Sequence, residues 1–387
     1  MAETVDAVII GGGILGISTG HFLAKLGFGK VVVLEQYTLG AGSTGKSAAV
    51  VRSFYSNGVC VQLARRGLEL FESFREQLGD DVGFTRIGYL VITDRTGVID
   101  PVLELHHQYG LKSLKLDRDQ IREMLPHMNV EDIAVGGFEP NSGFADPHLT
   151  IHALAKKAGE WGLRILQKCE VEKVKMTGER IDSVLTTRGA FSTRVLVNAA
   201  GPWAAQIQGV PKLSVPFRIS RETDCIFSPP EAFRHNPVVS DSIFGSYSRS
   251  HVSGRLLAGL GYPKELEPCD PNNFDERAGH DFAVDLKNRL VRRFPTLRDS
   301  PMIHGWSGMY TITPDWHPIV GKAPAGEGYF LAVGGSGHCF KIGPPLGEAL
   351  AQIITGRKPD IDISPLRYGR FQEGQLLGSV WGAGNRA

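Results

Sequence analysis

A net excess of either charge is missing from this chain. Its 42 lysines and arginines face 41 aspartates and glutamates, so no net field draws it to nucleic acid or to an anionic membrane. No basic cluster with interleaved aromatics marks a nucleic-acid face either. Long apolar runs are also missing. The first apolar segment is short, has no basic flank and leads straight into glycines, which fits a core strand rather than a signal peptide or a membrane span. Cysteine is scarce: Cys60, Cys169, Cys225, Cys269 and Cys339 are scattered, with no C-x-x-C pair and no metal-ligand spacing. Reduced thiols, no metal site and a cytoplasmic location are the expectation. There is no internal repeat and no low-complexity tract. At 387 residues and 42% hydrophobic content, the chain can bury a separate core in each of two domains.

What is present begins at residue 6. Asp6-Ala7-Val8-Ile9-Ile10 reads as a buried strand, Gly11-Gly12-Gly13-Ile14-Leu15-Gly16 as a turn into a helix, and Val31-Val32-Val33-Leu34 as a second strand closed by Glu35. A dinucleotide site needs these parts in this order. Gly11 and Gly13 allow the backbone to approach a pyrophosphate, Gly16 lets the helix pack on the sheet, and the helix N-terminus faces the phosphates. Glu35, about 20 residues on, is placed to accept from a ribose 2′-hydroxyl, which favours an adenosine diphosphate half without a 2′-phosphate. FAD and NAD share that half, so the unit does not choose between them.

Helical spacing predicts helices from Ile14 to Leu26, Val59 to Leu78, Asp119 to Met124 and Leu149 to Trp161. Strands are expected at Tyr89 to Ile92, Arg164 to Leu166, Val171 to Val174 and Val195 to Asn198, the last three returning to the nucleotide-binding sheet. Alternation at Val215, Phe217 and Ile219, then Leu256 to Gly259, suggests an antiparallel sheet. The chain closes with a strand at Tyr329 to Val333, a glycine turn, and a helix from Pro344 to Thr355, where two prolines suit a first turn. These elements divide into a discontinuous nucleotide-binding domain (1–83, 145–210, 304–387) and an interleaved second domain (84–144, 211–303).

Three separated motifs resemble the FAD-dependent D-amino-acid-oxidase superfamily, in its sarcosine-oxidase and glycine-oxidase branch. They are the N-terminal unit, Val197-Asn198-Ala199-Ala200-Gly201-Pro202-Trp203, and the C-terminal pair Thr313-Pro314-Asp315-Trp316-His317-Pro318-Ile319-Val320-Gly321 and Gly335-Ser336-Gly337-His338-Cys339-Phe340-Lys341. The resemblance covers nearly the whole chain. It implies an α/β fold: an FAD-binding Rossmann-like domain of the glutathione-reductase type with an antiparallel-sheet α+β substrate domain. It also selects FAD over NAD. Gly40-Ala41-Gly42-Ser43-Thr44-Gly45-Lys46-Ser47 is not a phosphate loop, because Leu39 stands where the first glycine should be; in the family this stretch wraps the flavin diphosphate and ribityl chain.

By that resemblance FAD contacts fall on Gly11, Gly13, Ile14, Leu15, Gly16, Glu35, Gln36, Ser43, Thr44, Lys46, Ser47, Val171, Ala200, Gly201, Trp203, Gly308, Tyr310, Gly335, Ser336, Gly337, His338 and Lys341. Arg52 and Lys341 match positions that hold a substrate carboxylate, Tyr247 an aromatic over the substrate, and His338 a possible hydrogen-bond partner of flavin or substrate. Arg grips a carboxylate with two parallel bonds, whereas Lys supplies a point charge. Asp315 and His317 read as holding their own turn.

Two departures from the family bear on activity. The sarcosine oxidases attach flavin through a cysteine before Met-Tyr-Thr, and here Gly308 precedes Met309-Tyr310-Thr311, so non-covalent FAD is expected. They also use a strand lysine toward oxygen, whereas Gly254-Arg255-Leu256-Leu257 has none. Lys46 or Arg255 could replace it, or electrons could leave to a protein or quinone acceptor. The implied reaction is oxidation of a small, anionic secondary or N-methyl amino acid to an imine that hydrolyses. The alternatives are a D-amino acid or 2-hydroxy acid substrate, or a flavin subunit of a homo- or hetero-oligomeric dehydrogenase.

Overall fold

A computed structural model of the chain describes residues 2–251, 253–261 and 265–381. Six strands form one sheet in the order Arg164–Leu166, Val31–Leu34, Ala7–Ile10, Val195–Asn198, Tyr329–Val333 and Ile319–Lys322. All run parallel except the last. A parallel sheet buried on both faces needs apolar side chains on both. Ala7, Ile9, Val31 and Val33 pack toward the helices, while Val8, Ile10, Val32 and Leu34 pack the opposite way. The helix layer sets Ile14–Lys25 against Cys339–Ile354, flanked by Gly58–Leu78 and Pro147–Glu160.

The opposite face is covered by a small sheet of Glu3–Thr4, Gly189–Ser192, Arg180–Thr186 and Val171–Thr177. The strand that begins at Val171 therefore does not return to the parallel sheet, as its position in the alternation suggested. Only Val174 in it is fully buried, and a strand with one wet face suits an antiparallel edge rather than the middle of a parallel sheet.

A second large sheet has nine strands. Arg218–Phe227 and Met302–Ile312 run antiparallel along almost their whole length, and Glu267–Pro268, Leu256–Leu260, Ser246–Ser250, Val238–Asp241, Tyr89–Thr93, Val135–Glu139 and Leu114–Leu116 complete the sheet. Alternation sends Leu90, Ile92, Cys225, Phe227, Val239, Leu256 and Ala258 into one core with Leu286 and Leu290 of the helix His280–Arg293. Tyr89, Asp224, Tyr247 and Arg249 occupy the intervening positions and so point to the other face.

The C-terminal helix begins at Cys339, five residues before the expected start, and holds Pro344 and Pro345 in its interior. Proline has no N–H, so these two release the carbonyls of Phe340 and Lys341 from the helical ladder. The neighbouring helix tolerates one of them at close range through a glycine: a Cβ on Gly67 would lie 2.2 Å from the Lys341 carbonyl oxygen. All five cysteines are free.

Candidate active site

The N-terminal turn is built for a phosphate. A Cβ on Gly11 would come within 2.3 Å of the Ala199 carbonyl oxygen, and one on Gly16 within 2.0 Å of the Gly11 carbonyl oxygen, so bare backbone at both positions is what lets strand, helix and neighbouring strand meet. The helix that follows starts without a side-chain cap at Gly13 and without an acid in its first turn. That leaves its positive end for an anion. The Thr44 hydroxyl accepts from the Ile14 N–H at 3.1 Å, tying the Gly40 to Ser47 loop to this end.

Glu35 accepts from the Gly12 N–H at 2.7 Å and the Tyr37 N–H at 2.8 Å. Burial raises its carboxyl above the usual range, and these two bonds oppose the shift.

One cavity, about 1740 Å³ counting its open mouth, runs from this turn to the nine-stranded sheet. Its wall includes Gly11, Gly13, Ile14, Leu15, Glu35, Gln36, Ser43, Thr44, Lys46, Ser47, Val171, Ala200, Gly201, Trp203, Gly308, Tyr310, Gly335, Ser336 and Gly337. Gly16, His338, Lys341 and Arg52 are not on that wall. At the far end it is lined by Glu222, Thr223, Asp224, Tyr247 and Leu260. A cavity with an acid-free helix N-terminus at one end fits FAD.

The expected catalytic residues fall into two groups. Arg52, Lys341 and His338 gather around Tyr55: the Arg52 guanidinium lies 4.7 Å from its ring centroid and the Lys341 Nζ 5.4 Å. The Tyr55 hydroxyl donates to His338 Nδ1 at 3.0 Å, while His338 Nε2 donates to the Trp316 carbonyl at 3.0 Å. Both nitrogens of that imidazole are thus used within the protein, and it pins the glycine turn to residues 55 and 316. Arg52 also donates to the Phe54 carbonyl and stacks over Tyr89 at 5.4 Å.

Electrostatically coupled to these cations is the buried Glu139, which accepts from the Ser53 N–H at 3.1 Å and the Ser142 hydroxyl at 2.9 Å. Burial pushes its carboxyl up to about 7, against the pull of those bonds and of Arg52 and Lys341. Burial thus opposes its full ionisation beside the two cations.

Tyr247, the fourth residue, stands apart and donates to Asp224. Two positions on, Arg249 is buried, donates from Nε to the Ala48 carbonyl at 2.7 Å and lies 4.1 Å above the Phe144 ring. Its Nη1 has no partner among the described residues, and burial lowers it to about 10.

Asp224, Arg249, Glu139 and Tyr55 are the groups that sequence reasoning did not single out as site residues. Asp224 and Arg249 sit in strands whose alternation is visible, but a charged residue at an alternating position ordinarily faces water. Only pairing with the other strands shows that this face is covered.

Of the two cations that could act toward oxygen, Lys46 lines the cavity and is paired with Glu276. Arg255 is exposed and bonds Ser228 at 3.1 Å, away from the cavity wall. The turn at 313–317 is structural, as expected: the Thr313 hydroxyl donates to the His317 carbonyl at 2.7 Å, and His317 Nδ1 donates to the Asp315 carbonyl at 2.6 Å. The Asn57 amide donates to His317 Nε2 at 3.0 Å. No group of residues that could hold a metal occurs among the described residues, and no helix there is long and apolar enough to cross a membrane.

Known proteins share this fold. Over 97% of the chain it is 27% identical to the L-proline dehydrogenase of P. horikoshii, covering all of that structure with a TM-score of 0.90. It is 26% identical to the sarcosine oxidase subunit beta of Arthrobacter sp over 97% of this chain and 93% of that one. Mitochondrial sarcosine dehydrogenase of Mus musculus is 27% identical over 98% of this chain but only 43% of its own length, so the chain spans less than half of that relative. The family of FAD dependent oxidoreductases matches residues 6–353. The chain belongs to that family, and FAD is its cofactor.

Proposed function

We propose that this protein oxidises a small secondary or N-methyl amino acid, of the sarcosine or proline type, to an imine that water then hydrolyses. The observation that carries the reading is the cavity itself. One continuous space joins the dinucleotide turn to a sheet face bearing Asp224 and Tyr247; Arg52 and Lys341 meet at Tyr55, off its wall. FAD bound there supplies an acceptor for the hydride of the carbon next to the amine. The chain's own residues need only bind, orient and desolvate the substrate. Arg52 and Lys341 favour a carboxylate, and Glu139 tempers their charge.

Purified holoenzyme titrated without oxygen against a panel of amines and amino acids, beginning with sarcosine and proline, should lose its oxidised flavin band with one class only. Bleaching by 2-hydroxy acids alone, or by none of the panel, would remove the reading.

Gly308 offers no thiol where the sarcosine oxidases carry their flavin-bearing cysteine. A side chain there would crowd Lys46, whose Cβ lies 3.0 Å from where the Gly308 Cβ would be. Cys339, which does line the cavity, is pushed up to about 12 by burial and is a poor nucleophile in that state. Acid precipitation should leave all of the yellow colour in the supernatant. Colour retained on the pellet would contradict non-covalent FAD.

A second reading, a flavin subunit of a hetero-oligomer that passes electrons to a partner, is supported by the near full-length match to a subunit named beta. Lys46 at the cavity wall, the one of the two proposed cations found there, supports direct oxygen use. Comparing reoxidation of the reduced protein by air and by a soluble dye acceptor distinguishes the two.

A further inference from the structure

We propose that Asp224, held in place by Tyr247, is the counter-charge for the substrate's ammonium group and makes the site prefer amino acids over their oxygen analogues. The inference rests on the reading above and names a determinant of substrate class within the same cavity. Asp224 belongs to Arg218–Phe227 and Tyr247 to Ser246–Ser250, two strands that are not paired with each other. Leu256–Leu260 runs between them, and its Gly259 is in register with both residues.

A side chain at 259 would destroy the pair. Its Cβ would lie 2.3 Å from Asp224 Oδ1 and 2.7 Å from the Tyr247 hydroxyl. The bare backbone thus lets a phenol and a carboxylate meet across an intervening strand, where directly opposed side chains would normally interact with their immediate neighbours.

The chemistry of the pair selects a cation. Asp224 is 8% exposed and its exposed part lines the cavity. The Tyr247 hydroxyl donates to it, a bond that favours the ionised carboxylate and fixes its direction. An amino acid brings an ammonium to such a group, and the bond formed is charge-assisted. A 2-hydroxy acid or an ether brings no positive charge to it and gains nothing from the carboxylate. Arg52 and Lys341 attract the carboxylate of either kind of ligand equally, so they cannot make this distinction. Asp224 can.

Sarcosine and methoxyacetate test this, because they differ only in a charged NH2+ group against a neutral ether oxygen at one position. Anaerobic titrations of FAD-loaded protein, followed by flavin band shape for methoxyacetate and by saturation of flavin reduction or band shape for sarcosine, give the ratio of the two apparent affinities. The wild type should hold sarcosine at least about tenfold more tightly, which corresponds to about 1.4 kcal/mol. Asp224→Asn should bring the ratio near one with methoxyacetate binding and FAD content unchanged, and Tyr247→Phe should fall between. If Asp224→Asn fails to retain FAD, Tyr247→Phe alone carries the test.

An unchanged ratio in the variant that is read, or a wild type that prefers neither ligand or binds neither, overturns the proposal. Sarcosine that binds selectively through Asp224 but never reduces the flavin defeats the reaction assigned above and leaves this role standing. Reduction by sarcosine with the ratio intact in Asp224→Asn does the reverse.

Discussion

Arg370→Met destabilises the folded chain by about 3–5 kcal/mol, the loss expected when one partner of a buried ion pair is removed and the other stays behind. The Arg370 Nε and Nη2 donate to the two Asp315 oxygens at 2.7 and 2.9 Å, and both side chains are essentially inaccessible, at 0% and 1%. Arg370 further donates to the His317 and Leu366 carbonyls, both at 2.8 Å, so one side chain ties the 313–317 turn to the C-terminal segment. Denaturant unfolding at a fixed, saturating FAD concentration reads the change; a loss under about 1 kcal/mol would place the pair among the weak ones.

The pH dependence supplies an independent sign. Burial alone would raise the Asp315 carboxyl, but Arg370 overrides it and holds the group below its ordinary value. Its contribution is therefore present above the unfolded-state value and is lost as pH falls through the folded one. In Arg370→Met burial is opposed only by the weaker pull of His317 and the Leu377 N–H, so the carboxyl is expected to rise above its ordinary value and the folded state to bind the proton more tightly than the unfolded one. Stability from this group then falls as pH increases through that range, the opposite slope.

Gly11→Ala yields protein with less than about a tenth of the wild-type FAD content. The residue holds φ at +109°, where a side chain costs on the order of 1–3 kcal/mol. The new Cβ also meets the Ala199 carbonyl at 2.3 Å, a backbone atom just past the end of the adjoining strand Val195–Asn198 that cannot swing aside. Each 1.4 kcal/mol of that strain relayed to the phosphate cradle is about tenfold in affinity. Gly42→Ala is the control, since its nearest neighbour would be a Trp203 carbon at an ordinary 3.7 Å, and FAD content there should stay within about twofold. The absorbance ratio of flavin to protein after gel filtration reads both. Full occupancy in Gly11→Ala would mean that the dinucleotide does not lie on this turn.

Local patterns in the chain were enough for the nucleotide-binding half. The first strand, the helix and the second strand occur where periodicity places them, at Ala7–Ile10, Ile14–Lys25 and Val31–Leu34. The amphipathic helix read from Val59 to Leu78 runs from Gly58 to Leu78, with the Asn57 side chain accepting from the Cys60 N–H. Two readings failed for a shared reason. Val171–Thr177 joins a separate sheet, and the C-terminal helix continues back through two prolines to Cys339. In both, the deciding partner is remote in sequence: a strand with a wet face in the first, and in the second a glycine of another helix that receives a freed carbonyl.

The sequence by itself determined that the chain has a dinucleotide unit, that its flavin loop is not a phosphate loop, and that no cysteine precedes Met309-Tyr310-Thr311. These features depend on residues a few positions apart, where spacing and residue type suffice. Tertiary structure alone decided that Arg52, Lys341 and His338 share one tyrosine, that Glu139 is electrostatically coupled to the two cations, and that Asp224 meets Tyr247 above Gly259. Each of those meetings joins strands or helices far apart in the chain. The register that joins them is set by the packing of whole sheet faces, which no local window contains.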